Sequence, residues 1–116
     1  MKKTYKLNEK EIVRYKKVLG QTIKLLRLTF GYKSKGLASE LGISKSYLSE
    51  IESGNKIPTL KLIENLSIIF EINTSSFFRL LQELDACNKF HGDSKRKRIT
   101  VLKLKILLFV LQGEEL

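Results

Sequence analysis

The sequence has one cysteine, one histidine, one proline and no tryptophan. A lone cysteine, Cys87, cannot form an internal disulfide, which suits a reducing cytoplasm better than a secreted fold. One histidine, with no acidic cluster and no glycine-rich phosphate loop, argues against an enzyme. Cys87 and His91 by themselves do not make a metal site, so we expect no metal and no cofactor.

Long apolar runs are also missing. No segment approaches the roughly 20 apolar residues that a membrane-spanning helix needs. Lys2 and Lys3 are not followed by the apolar stretch of a secretory signal. A length of 116 residues, with one proline and only seven glycines, suits one helix-rich domain with a modest core. We therefore expect a cytoplasmic protein with no membrane partner.

Positive charge is what the chain has in excess, with 22 Lys and Arg against 12 Asp and Glu and a net charge of +10. The excess lies in the flanks, because residues 1–19 carry +5, residues 20–84 carry +2 and residues 85–116 carry +3. Basic flanks around a balanced centre suit a polyanionic partner. They suit a merely well-solvated protein too, so charge alone does not decide the function.

Apolar residues recur at three- and four-residue steps in five successive stretches between residues 9 and 84, which predicts five helices. The first of these is one long helix, or two helices fused at Gly20, and it begins within a basic N-terminal extension, residues 1–19. Residues suited to cap or end the helices stand between the stretches: Asn8, Gly42, Ser44, Thr59 and Asn73. Short connectors between five helices predict an all-α bundle.

The second and third predicted helices form a distinctive pair. They cover residues 34–41 and 45–53, with Gly42 in the short turn between them. Ala38 is small and stands where the third helix has to cross closely. A short helix, a glycine turn and a second short helix is the layout of a helix-turn-helix.

The third predicted helix has two different sides. Leu48 and Ile51 share the inner side, and the outer side is polar. The outer residues are Lys45, Ser46, Ser49 and Glu50. Such a helix is either an ordinary amphipathic helix with a solvated face or one built to enter a DNA groove. This one helix leaves both interpretations open.

From about residue 19 to residue 84 the sequence resembles the Xre family of helix-turn-helix regulators, which includes the phage Cro and repressor DNA-binding domains. The stretches "LGQTIKLLRLTFGY", "LASELGISKSYLSEIESGNKIPTL" and "LIENLSIIFEINTSSFF" carry the resemblance, in that order. It implies a five-helix, lambda-repressor-like domain over residues 20–84, with the third helix in the major groove. It also implies an ion pair between Arg27 and Glu52.

The resemblance implies roles for individual residues. Base reading falls to the start and outer side of the third helix, where lysine can donate to guanine and glutamate can accept from cytosine. The base-reading set is Lys45, Ser46, Ser49 and Glu50. Phosphate contacts fall to Lys33, Ser34, Lys35, Ser44, Tyr47, Asn55, Lys56 and Lys61. The scaffold positions are Arg27, Ala38, Gly42, Leu48, Ile51 and Glu52. Tyr47 suits packing on the second helix equally well.

The start of the second helix departs from the family. Members usually have Ser or Thr, then Gln, then two acidic residues, where this chain has Lys33, Ser34, Lys35 and Gly36. The two lysines can serve phosphates in place of the glutamine, aided by the helix N-terminus. Gly36 within the first turn costs about 0.5–1 kcal/mol of helix stability.

The C-terminal part has two predicted regions. Residues 85–98 read as a basic linker, in which "SKRKR" is either a solvated linker or an arm that touches DNA. Residues 99–116 form an apolar segment whose length favours a helix and whose early alternation favours a strand. The segment has more apolar surface than one side can bury. We expect it to form a homodimer, and packing on the domain is the alternative.

These observations predict a sequence-specific regulator of transcription, most simply a repressor, that binds double-stranded DNA. The alternative is a protein-interaction module, such as the DNA-binding antitoxin of a toxin-antitoxin pair.

Overall fold

Six helices follow one another along the part of the chain that the computed structural model describes, which is residues 8–112, with side chains through residue 108. The helices are α1 (Glu9–Thr29), α2 (Ser34–Leu41), α3 (Lys45–Glu52), α4 (Leu60–Ile69), α5 (Thr74–Cys87) and α6 (Gly92–Gln112). The predicted all-α fold is confirmed, and a sixth helix is added to the five. Within the predicted basic extension, residues 1–7 lie outside the described part and α1 begins at Glu9.

Side-chain caps begin four of the helices at the predicted residues. The Ser44 hydroxyl oxygen accepts from the Tyr47 amide at 3.0 Å, and Thr59 does the same for Leu62 at 3.1 Å. The side-chain oxygens of Asn8 and Asn73 accept from the amides of Glu11 and Ser76 at 2.9 and 2.7 Å. Because each cap satisfies a backbone donor that the helix leaves unpaired, these residues determine where the helices start.

The core is a cluster of aliphatic and aromatic side chains contributed by all six helices. Its fully buried members include Ile23, Leu26, Leu37, Leu48, Ile51, Leu66, Phe77, Leu80 and Ile106. Stacked rings of Phe30 and Phe70, with centroids 5.3 Å apart, join the end of α1 to the end of α4. Burying each large side chain contributes roughly 1.5–3 kcal/mol, so this cluster is the main source of stability.

At Gly20, α1 crosses the end of α3 in close backbone contact. A Cβ atom at residue 20 would overlap the carbonyl oxygen of Ile51 and lie 2.7 Å from that of Glu52. Only glycine therefore permits this crossing. The sequence shows a glycine in the middle of a long helix, and the structure supplies the reason for it.

Residues 92–98 of the predicted linker and residues 99–112 of the apolar segment form one helix, so the linker prediction for residues 85–98 was wrong for most of its length. Residues 113–116 lie outside the described part of the chain. The chain is helical through Cys87 and again from Gly92. For residues 99–111 the helix alternative is the one observed. Leu102 and Ile106, one helical turn apart, are buried where α6 packs on α1 and α5. Packing of this stripe outweighs the local alternation of lysine and leucine.

No helix within the described range is long and apolar enough to span a membrane. Nor do residues 8–112 contain a group of three or more His, Cys, Asp or Glu side chains that could hold a metal ion.

We expect Gly20→Ala to lower the free energy of unfolding by at least about 1–3 kcal/mol, because the added methyl group must push α1 away from α3. The matched control is Gly36→Ala, since a Cβ there meets nothing within 4 Å. That change should raise stability by about 0.5–1 kcal/mol. Urea denaturation of both variants measures the two effects. A Gly20→Ala protein as stable as the parent would show that the crossing is adaptable.

Candidate nucleic-acid interface

The turn between α2 and α3 is held by backbone hydrogen bonds. Gly42 has φ +69°, and its amide donates to the carbonyl of Ser39 at 3.1 Å. The amide of Ile43 donates to the carbonyl of Ala38 at 3.0 Å. Paired bonds of this kind end a helix at a left-handed residue, which glycine adopts without strain. The turn thus fixes the direction in which α3 leaves α2.

Two kinds of contact hold the inner side of α3. Leu48 and Ile51 are fully buried, and Ala38 of α2 is 2% exposed. At the end of α3, the Arg27 Nε and Nη2 atoms donate to the two carboxylate oxygens of Glu52 at 2.8 and 3.0 Å. Arg27 Nη1 also donates to the Tyr32 carbonyl at 3.1 Å. The ion pair implied by the family resemblance is therefore present, bidentate and buried.

The outer side of α3 is open to solvent at its start. Lys45, Ser46 and Ser49 are exposed, and nothing in the bundle covers this side of the helix. Their hydroxyl and ammonium groups can donate to base edges or phosphates. Three of the four predicted base-reading residues therefore share one accessible face. The fourth, Glu50, is paired with Lys56.

Glu50, Lys56 and Tyr47 form a small cluster at the rim of this face. Lys56 Nζ lies 3.0 Å from Glu50 Oε2 and 5.6 Å from the centre of the Tyr47 ring. Both charged side chains are about half exposed, so the pair is worth little stability, although the Glu50 Oε2 atom that faces Lys56 is covered from solvent. The pair changes the sequence-based assignment, in which Glu50 reads a base and Lys56 contacts a phosphate as independent groups. In the structure each is the other's partner.

The loop after α3 folds back onto the helix. The amides of Asn55 and Lys56 both approach the carbonyl oxygen of Glu50, at 2.9 and 3.3 Å. Gly54 has φ +84°, and a Cβ there would lie 3.1 Å from the Cα of Lys17 on α1. The loop is thus packed between α3 and α1. Lys17 was not named from the sequence, because only the fold brings it beside Gly54.

The remaining phosphate candidates lie around the open face. Lys33 and Lys35 are exposed and Ser34 is half-buried at the start of α2, where Lys33 is the N-cap residue but its side chain makes no capping bond. Lys61 is exposed on the first turn of α4, 3.9 Å from Glu64. Ser44 uses its oxygen as an acceptor in the cap of α3, which leaves its hydroxyl proton free to donate. The phosphate candidates thus lie at the starts of α2, α3 and α4 and in the loop after α3.

Comparison with known proteins supports this geometry. A family model described as helix-turn-helix matches residues 23–77. YazB of Bacillus subtilis, named as an uncharacterized HTH-type transcriptional regulator, is 38% identical over 56 residues, which is 48% of this chain and 81% of YazB. The chain belongs to the helix-turn-helix family of transcriptional regulators. The resemblance to the Xre family seen in the sequence is confirmed.

Two further helix-turn-helix regulators match over a smaller share of their own length. SlrR of Bacillus subtilis is 37% identical over 62 residues, covering 53% of this chain and 41% of SlrR. SinR of Bacillus licheniformis is 35% identical over 69 residues, covering 59% of this chain and 60% of SinR. The chain thus spans less than two thirds of these two relatives. The family-model match ends within α5, so α6 lies outside it.

Removing one partner of the buried ion pair should be far more costly than removing one partner of an exposed pair. We expect Arg27→Met to lower the free energy of unfolding by about 3–5 kcal/mol, because it leaves the Glu52 carboxylate buried without its partner. Lys61→Met, which removes the exposed pair with Glu64, should change stability by less than about 1 kcal/mol. The double variant Arg27→Met with Glu52→Leu should recover much of the loss. Equal effects of the two single changes would contradict the role given to the buried pair.

Proposed function

We propose that this protein binds double-stranded DNA sequence-specifically, with α3 in the major groove, and regulates transcription. The observation that carries the proposal is the two-sided anchoring of α3. One side is locked by Leu48, Ile51 and the Arg27–Glu52 pair, while Lys45, Ser46 and Ser49 stand free on the other. A reading helix needs this combination, because base edges are recognised only by side chains held in fixed register.

The proposed base-reading face carries few charged groups. Lys45 can donate to guanine O6 or N7, and the serines can donate or accept. Glu50 can accept from cytosine N4 only by giving up or sharing Lys56. The proposed direct readout therefore rests on few groups, with shape and phosphate contacts supplying the larger part of affinity.

Phosphate contacts in this proposal come from both sides of α3. Lys33 and Lys35 lie at the start of α2, where unpaired amides add a favourable partial charge. Asn55 and Lys61 lie on the other side, after α3 and at the start of α4. Lys56 joins them when DNA phosphate replaces its contact with Glu50. These groups would set the register of α3 in the groove.

We further propose repression as the regulatory outcome, since a protein seated on promoter DNA excludes polymerase from it. The activity is binding without a chemical step, and it takes place in the cytoplasm, where a bacterial or phage regulator meets its DNA. The relatives above are named as transcriptional regulators and give no support to the antitoxin alternative.

A homodimer through α6 is the proposed form of the active protein. Val101, Leu104 and Leu108 follow the i, i+3, i+7 spacing on the side of α6 opposite Leu102 and Ile106, and each is more than half exposed. A helix that is apolar on two opposite sides and buried on one has a second side to cover. Pairing two copies across it would also pair two reading helices on two half-sites.

The first test separates base reading from phosphate contact. Lys45→Ala and Ser46→Ala should change the sequence selected from a random duplex library, with a loss of preference of about 1–3 kcal/mol at the affected positions. Lys61→Ala should instead weaken all duplexes about equally and lower the salt slope by roughly one unit. Lys56→Ala is a less specific test of phosphate contact, because it also removes the ion-pair partner of Glu50.

Selection from the library, followed by titrations at several salt concentrations, gives both quantities. An unchanged selected sequence for both Lys45→Ala and Ser46→Ala would show that α3 is not the reading element. Absence of duplex binding at low salt would reject the proposed function as a whole.

The second test concerns the dimer. Leu104→Glu should leave the protein folded and monomeric, because residue 104 lies on the exposed side of α6 and two buried copies of the charge would face each other. Ile68→Glu is the control, since Ile68 is 73% exposed on α4 and should leave the dimer intact. Light scattering and circular dichroism report mass and folding. A parent protein that stays monomeric at tens of micromolar would contradict the proposal. Deleting α6 is not an equivalent test, because Leu102 and Ile106 belong to the core.

A further inference from the structure

A basic groove lies between α1, the end of α5 and the start of α6. Four basic side chains and one acidic side chain are among the residues that line its volume of about 410 Å³. The basic residues are Arg14, Lys17, Lys89 and Lys95, and the acidic one is Asp85. Asp85 is already paired with Arg14 at 3.7 Å, so the three lysines carry the net charge of the groove.

The lysines come from three separate segments, and the fold holds these segments together. Asn88, directly after α5, donates from Nδ2 to Gln21 Oε1 on α1 at 2.7 Å. Val18, also lining the groove, is 1% exposed and belongs to the core. Lys95 is only partly exposed on the first turns of α6. Like charges gathered in a concave surface with an apolar wall focus the field and favour a polyanion.

The groove adjoins the proposed reading helix. Lys17, which lines the groove, is also the residue on whose backbone Gly54 packs, directly before Asn55 and Lys56. The loop after α3 and the groove therefore meet at Lys17 on α1. A duplex seated on α3 would run its phosphates past this loop.

We propose that this groove binds the phosphate backbone of the same duplex, beside the bases that α3 reads, and so extends the contact beyond the helix-turn-helix. The inference rests on the proposed function, because it assumes DNA on α3. It gives the basic segment "SKRKR" a specific part in binding: Lys95 belongs to the groove as part of a helix, where the sequence left a linker and an arm as alternatives.

The test compares two double variants with the same change in charge. Lys89→Gln with Lys95→Gln removes two of the three lysines that line the groove. Lys103→Gln with Lys105→Gln removes two exposed lysines of α6 that do not line it. Each is titrated with salt against two duplexes, one trimmed to the selected sequence and one carrying long flanks on both sides.

On the long duplex the groove variant should lose close to two units of salt slope, since each phosphate contact contributes about 0.9. Its hydroxyl-radical footprint should also shrink on the flank. The slope on the trimmed duplex, the selected sequence and the control variant should stay as in the parent.

An unchanged slope and footprint for the groove variant would overturn the inference, and so would equal losses in both double variants. In either case a parent protein that binds its selected duplex leaves the proposed function standing. If the parent binds no duplex at any salt concentration, the proposed function and this inference fail together.

Discussion

The crossing of α1 over α3 at Gly20 is the constraint on which the rest of the arrangement depends. Bare backbone at residue 20 lets α1 approach the carbonyl groups that end α3. That proximity is what brings Arg27 within bidentate reach of Glu52 and closes the ion pair away from water. Together with the turn at Gly42 and the burial of Leu48 and Ile51, these two contacts set the angle of α3 and with it the direction of its outer side. A helix of only eight residues could not hold that angle through its own hydrogen bonds.

The contact between Glu50 and Lys56 changes how the open face is understood. Two groups that the sequence assigns to different parts of DNA are each other's ion-pair partners. In the proposed complex, DNA would exchange this ion pair for new contacts, so the charge of Lys56 would add less to affinity than that of an unpaired lysine. The Tyr47 ring contacts Lys56 and also packs against the core, so it links the Glu50–Lys56 pair to the packing of α3.

The sixth helix, α6, is an addition to the helix-turn-helix domain. It lies outside the part that matches the family model, yet Leu102 and Ile106 are as deeply buried as the core of the helix-turn-helix. One helix therefore completes the core, contributes Lys95 to the basic groove and leaves Val101, Leu104 and Leu108 exposed on its other side, which is the proposed dimer surface. Packing on the domain and dimerisation, posed as alternatives for this segment, are compatible because they use opposite sides of one helix.

The sequence by itself determined the elements. Apolar spacing, together with caps at Asn8, Ser44, Thr59 and Asn73 and the glycine turn at Gly42, located five helices, because these signals are local and each is satisfied within one turn of chain. The same spacing separated the inner and outer sides of α3, and the family resemblance identified the Arg27–Glu52 pair.

Only the tertiary structure decided what depends on residues far apart in the chain. No local sequence pattern shows the need for glycine at residue 20 or the pairing of Glu50 with Lys56. Nor does any such pattern show that Lys17 and Lys95 line the same groove. The state of residues 99–111 was decided in the same way. Their alternating lysines and leucines leave helix and strand close in local preference, and burial of Leu102 and Ile106 against α1 and α5 selects the helix.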